Sequence, residues 1–146
     1  MKSFSANIDI DATPGAVWAV LIDTVNWPQF DPYSERIEGQ AAPGETLTVF
    51  STLAPSRAFP VKVTTLERPQ QMAWTGSMPL GMLKNVRTHT ISPHGVGSRF
   101  EITEVISGPL LGMLAGTLPD LAEPFAAFCR GLKACVEAPK AQGSRQ

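Results

Sequence analysis

Residues 34–107 read as a string of short strands with only a few residues between them, and a single amphipathic stretch follows. The strand-like segments are a weak one at 36–38, then 46–52, 59–66, 71–76, 82–91 and 99–106. They are separated by Ala42-Pro43-Gly44, Ala54-Pro55-Ser56, Arg68-Pro69, Pro79-Leu80-Gly81 and Pro93-His94-Gly95-Val96-Gly97, all turn chemistry. Parallel pairing needs a crossover of a dozen or more residues, which these breaks cannot supply. The chain is therefore confined to an antiparallel meander.

The flanks complete the pattern. Phe4, Ala6, Ile8 and Ile10 alternate with Ser5, Asn7, Asp9 and Asp11, a strand with one buried face. Thr13 then caps, Pro14 takes the first helical position, and Val17, Trp18, Leu21 and Ile22 recur at helical spacing, predicting a short helix that ends near Asp23. Asn26-Trp27-Pro28-Gln29-Phe30-Asp31-Pro32-Tyr33 holds two prolines, so a compact loop or single turn is expected, with Trp18 and Trp27 packing the helix and loop onto the sheet. After Ser107-Gly108-Pro109 comes a small apolar piece at 110–118. A helix over 120–137 follows, with Leu121, Phe125, Phe128, Leu132 and Val136 on one stripe. This order is α+β, one sheet face and one helix stripe burying each other. The domain spans 1–138, and 139–146 reads as a disordered tail.

Composition removes several partners. Charged residues are 17% of the 146, below the roughly 25% usual in soluble domains, which excludes disorder. A net charge of −1 and no run of Lys or Arg leave no footprint for nucleic acid. The start of the chain lacks the apolar core of a signal peptide, and no stretch approaches the roughly 20 apolar residues of a membrane span, so a cytoplasmic protein without stable membrane insertion is expected. Cys129 and Cys135 lie six positions apart on a predicted helix and so on different faces, unable to join or to hold a metal by themselves.

Ala12-Thr13-Pro14 leading to Val17-Trp18 and Leu21-Ile22-Asp23, then Trp27-Pro28 through Asp31-Pro32, Phe59-Pro60-Val61-Lys62-Val63, Met72-Ala73-Trp74, and Phe100 through Glu104 to Ser107-Gly108 carry a resemblance. The chain resembles the helix-grip proteins of the START and birch-pollen-allergen type, the SRPBCC superfamily, in particular its polyketide cyclase/dehydrase and lipid-transport branch. The resemblance covers about residues 2–137. It implies a curved antiparallel sheet wrapped around the C-terminal helix, with an apolar cavity between them whose contents differ among members. It implies a cavity, not a reaction.

Alternation then assigns faces. On the last strand Phe100, Ile102 and Ile106 are apolar and inward, so Glu104 shares their face; on 82–91 the set Leu83, Asn85, Arg87, His89 and Ile91 is taken as inward. A hairpin centred between Gly95 and Val96 sets Arg87 opposite Glu104 and His89 opposite Ile102, whereas a register two residues off would set Asn85 there. Charges in an apolar wall should pair, either as a structural ion pair or as a group that orients a ligand carboxylate or carbonyl. His89 is either a hydrogen-bonded core residue or a proton-transfer group, and His94 should be solvated. Trp74, Phe100, Ile102, Phe125 and Phe128 would be core, cavity wall or both. Gly108, Gly112 and Gly116 suggest close packing or an apolar lid at the cavity mouth.

Nucleophile elbows, phosphate loops, zinc helices and CxxC pairs are missing from the sequence, so no metal or cofactor is expected. Three functions remain open. The first is binding or carriage of a small hydrophobic molecule, a lipid or polyketide, by Trp74, Arg87, His89, Phe100, Ile102, Glu104, Phe125 and Phe128. The second is a cyclase or dehydratase using His89, Arg87 or Glu104. A protein-interaction module with an exposed apolar patch is the third.

Overall fold

The N-terminal alternation forms β1 (Lys2–Ile10), whose even-numbered residues turn inward, in a computed structural model that describes residues 1–77, 79–114, 116 and 118–138. Helix α1 (Pro14–Leu21) starts as expected: the Thr13 hydroxyl accepts the Ala16 N–H at 3.3 Å and Pro14 opens the first turn. It stops two residues before Asp23. A 3-10 turn (Thr24–Gln29) takes up the proline-rich segment.

The meander is β2 (Ser34–Glu38), β3 (Thr46–Ser51), β4 (Phe59–Glu67), β5 (Gln71–Ser77), β6 (Lys84–His94) and β7 (Gly97–Ser107). All neighbours are antiparallel, in the order β1-β7-β6-β5-β4-β3-β2. The β6–β7 hairpin is longer than the sequence reading, because Pro93 and His94 continue the ladder to Gly97 at its edge. Conversely β6 begins at Lys84, since a 3-10 turn (Pro79–Gly81) occupies the segment before it. Of the apolar piece 110–118 only α2 (Leu111–Leu114) is α-helical among the described residues. Helix α3 (Ala122–Glu137) begins two residues later than expected, after the Asp120 carboxylate accepts the Ala122 N–H at 2.9 Å. The tail 139–146 lies outside the described residues.

The sheet grips α3 on its concave face, the helix lying along β1 and β7 and against α1. Leu121, Phe125, Phe128, Leu132 and Val136 are all buried, as their stripe required. At the far end of α3, Lys133 donates to the Asp9 carbonyl (3.0 Å) and to Glu137 (2.6 Å), and Glu137 accepts the Asp11 N–H (2.7 Å). This ties the helix to the end of β1.

One contact fixes the loop after the 3-10 turn. Gly131 on α3 sits against the Phe30 carbonyl so closely that a Cβ there would overlap it. Gly131→Ala gains up to about 1 kcal/mol of helix propensity, but overpacking against backbone costs about 1–3 kcal/mol or more. A net loss of stability of about 1–2 kcal/mol is expected in urea denaturation, and an unchanged midpoint would show that the loop yields freely.

Candidate functional site

The β6–β7 register places Arg87 directly opposite Glu104 and His89 opposite Ile102. Trp74 on β5 stands opposite Arg87 from the other side. Arg87 Nε donates to Glu104 Oε1 at 2.6 Å, a charge-assisted bond. The two side chains differ in access: Glu104 is 7% exposed and Arg87 24%. The carboxylate is thus desolvated, while the guanidinium reaches toward water.

The guanidinium lies 4.9 Å from the Phe125 ring centroid and 5.8 Å from that of Trp74, within cation–π range. Glu104 takes only Nε. The Nη groups have no protein partner among the described residues, and neither is sealed away unsatisfied. One planar fork of donors is therefore left for a second acceptor.

Asp31 is a further buried carboxyl that feels the charge of Arg87, and its neighbourhood could not be read from the sequence. It follows the 3-10 turn and is buried, its Oδ2 accepting the Ser34 hydroxyl (2.6 Å) and its Oδ1 the Tyr33 N–H (3.1 Å). Burial holds its carboxyl above the usual aspartate range, against the hydrogen bonds from Ser34 and Tyr33 and the positive charge of Arg87. Asp31 sits between Pro28 and Pro32 in a segment without period, where alternation assigns no face.

His89 is completely buried. Its Nδ1 is 3.0 Å from the Met72 carbonyl, which can only accept, so Nδ1 carries the proton and Nε2 is a bare acceptor. Among the described residues Nε2 has no hydrogen-bond partner, and the ring lies among those of Trp27, Trp74, Phe100 and Phe128. Burial, helped by the charge of Arg87, pushes its pKa down to about 3. A neutral imidazole without solvent contact cannot exchange a proton with a bound molecule unless the surrounding rings move.

Those rings bear on the expectation of a continuous cavity lined by Trp74, Phe100, Ile102, Phe125 and Phe128. All five side chains are buried. Trp27 fills the space between them: its ring is 4.7 Å from Phe128 and 5.5 Å from Trp74, and Phe100 is 5.8 Å from Phe128. Trp27 does join the loop to the sheet, but by entering the middle of the core. The wall residues are therefore packed on one another, and room is found elsewhere. An open cleft of about 500 Å³ is lined by Met1, Lys2, Gly108, Leu111 and Gly112, and a smaller one of about 170 Å³ by Ala19, Val20, Asp23, Asn26, Gln29, Phe30 and Cys135. Neither is lined by the predicted site residues. The larger lies one strand step from the ion pair, since Lys2 shares its face with Phe4, which pairs with Glu104.

The glycine triplet divides. Gly108 (φ 122°) lies against the Met82 carbonyl, a close backbone approach, whereas a Cβ on Gly112 or Gly116 would meet nothing. The spacing is therefore not a packing seam. His94 is exposed near Asp9, and Cys129 is buried with its thiol pushed up to about 12 by burial, while Cys135 is exposed. Among the described residues no group of three or more His, Cys, Asp or Glu side chains gathers, and no helix is long and apolar enough to cross a membrane.

A curled antiparallel sheet closed on a C-terminal helix defines the helix-grip class. Within it, residues 1–137 match the family described as polyketide cyclase/dehydrase and lipid transport, and the chain belongs to that family. A hypothetical protein from Helicobacter pylori shares the fold at 16% identity and a TM-score of 0.77, over 93% of this chain and 88% of that one. Norcoclaurine synthase from Thalictrum flavum does so at 16% identity and 0.72, over 95% of each. The Aha1 dimer from Colwellia psychrerythraea does so at 17% and 0.67, over 94% of this chain and 98% of that one. At such identities the likeness is one of fold alone. Comparison with curated proteins gives no match.

Proposed function

We propose that this protein binds a small amphipathic molecule whose polar head, a carboxylate or carbonyl, is held by Arg87 and whose apolar body lies toward the Lys2–Gly108–Leu111 cleft. The observation that carries this reading is the half-used guanidinium: Glu104 holds Nε at 2.6 Å while the Nη groups, on a partly exposed side chain, keep no protein partner among the described residues. Glu104 serves as a positioning residue that fixes the plane of the fork, and Phe125 and Trp74 flank it. The family to which the chain belongs is associated with polyketides and lipids, which agrees with such a ligand. A cyclase or dehydratase role would have to draw its proton-transfer group from a carboxyl, Glu104 beside Arg87 or Asp31, because His89 is enclosed.

Decanoate and decanol share a chain and differ in head group. Decanoate is expected to raise the melting temperature of the wild-type protein and decanol to raise it far less. Arg87→Met alone strands a desolvated carboxylate and should cost about 3–5 kcal/mol, so the informative variant is Arg87→Met with Glu104→Leu, in which both charges are replaced by apolar groups and stability is expected to change little. Loss of the decanoate shift in that double variant supports the site. An undiminished shift removes Arg87 from it.

A further inference from the structure

The antiparallel order brings the starts of β1, β2, β4 and β6 and the ends of β3, β5 and β7 to one end of the sheet, together with segments 52–58, 79–83 and 108–114. Five of the seven large hydrophobic side chains exposed among the described residues are here: Met1, Leu53, Phe59, Leu80 and Met113. Leu80 is the extreme case. It is 97% exposed, and its backbone lies in the left-handed region (φ 62°, ψ 19°), unfavourable for a branched side chain.

Charge is sorted along the same axis. The three segments contain no Asp or Glu. Lys2, Arg57 and Lys84 stand at this end and make no ion pair among the described residues; exposed Glu35, second residue of β2, is the acidic side chain that stands with them, while Asp31 and Glu104 on this side are buried. Asp9, Asp11, Glu38, Glu45 and Glu67 gather at the opposite end, where Arg68 lies in the β4–β5 turn and the cations Arg99 and Lys133 pair with Asp9 and Glu137. Aliphatic tips that penetrate and cations that stay at the surface are what an anionic lipid surface attracts. A second copy docked through the same end would bring Lys2, Arg57 and Lys84 of both chains into one interface with, among the described residues, only Glu35 exposed on each side to meet them, which disfavours self-association there.

We infer that this end of the protein docks on anionic membranes, with Leu80 and Met113 entering the headgroup region and Lys2, Arg57 and Lys84 facing the lipid phosphates. The inference is independent of what Arg87 holds. It places the mouth of the 500 Å³ cleft, formed by Met1, Lys2, Gly108, Leu111 and Gly112, against the bilayer.

Vesicle flotation tests it. The full chain should float with vesicles of equal parts phosphatidylglycerol and phosphatidylcholine and not with phosphatidylcholine alone. Each of Lys2→Gln, Arg57→Gln and Lys84→Gln should weaken binding about fivefold, as expected for one basic residue near a charged surface. Leu80→Asp with Met113→Asp should weaken it tenfold or more, and Val96→Asp, equally exposed at the other end, should leave it unchanged. Lys2 is half-buried at the start of β1 and the other positions are exposed, so melting temperatures should stay within a few degrees. Failure to float with anionic vesicles overturns the inference, as does equal loss in Val96→Asp. A dimer by light scattering that Leu80→Asp dissociates would also overturn it, by assigning the face to a second copy.

Discussion

Replacing Trp27 with alanine is expected to cost about 3–5 kcal/mol, the range for emptying a large aromatic site in a packed core. That is a large part of the 5–15 kcal/mol by which domains of this size are stable, and would lower the melting temperature by roughly 10–20 °C. The reason is position. The indole is 2% exposed, with ring centroids of Phe128, Trp74 and His89 at 4.7, 5.5 and 5.5 Å, and its N–H donates to the Leu21 carbonyl at 2.9 Å. Deleting it removes the dispersion contacts with these three rings and leaves the Leu21 carbonyl without that donor. The surroundings are held by the sheet and by Gly131 against Phe30, so little collapse is expected. Indole added to Trp27→Ala should therefore bind in the vacated space and raise its melting temperature while leaving the wild type unmoved. A loss below about 1 kcal/mol, or an equal indole effect on both proteins, would show that Trp27 is not what fills the grip.

Trp27 also marks where sequence reasoning stops. Arg87 opposite Glu104 is legible because period-2 alternation assigns faces and the Gly95-Val96 turn sets the register, so two local rules fix a contact seventeen residues apart. The stripe of α3 is legible by the same kind of rule at period 3.6. The segment from Asn26 to Tyr33 has neither period, and its prolines announce only irregularity. How far Trp27 enters the core, and that Asp31 is buried near Arg87, depend on a loop path set by tertiary contacts with α3. The distribution of space is illegible for a related reason: facing tells which side chains share the concave wall, but not whether another ring has filled the gap between them. Exposed apolar residues in the turns, by contrast, stand in plain sight in the sequence, and only the topology gathers Leu53, Leu80 and Met113 at one end.

Acid should destabilise this protein earlier than its carboxylates alone would, through His89. The imidazole has a pKa of about 3 in the folded chain against 6.5 when exposed, because burial and then the charge of Arg87 oppose its protonation, with only the Met72 carbonyl favouring it. The unfolded chain takes up this proton below pH 6.5 and the folded chain does not. The stabilisation is therefore complete above about 6.5 and is lost progressively as pH falls toward 3, at about 1.4 kcal/mol per pH unit. Between pH 6.5 and 5 the loss should be about 2 kcal/mol, and near pH 3 about 4–5 kcal/mol. Asp9 and Glu137, whose carboxyls are held below their usual range by Arg99 and Lys133, respond only at lower pH, while Asp31, whose carboxyl burial holds above its usual range, acts in the opposite sense to His89 and equally in the wild type and in His89→Leu. Urea denaturation of these two proteins across the upper window measures the difference. The variant loses the bond to Met72 but removes a buried acceptor, Nε2, that has no partner among the described residues, and it should lose about 2 kcal/mol less than the wild type from pH 6.5 to 5. Parallel pH profiles for the two proteins would mean that His89 takes up its proton in the folded state, which requires water or a ligand to reach Nε2 through the rings of Trp27, Trp74 and Phe128.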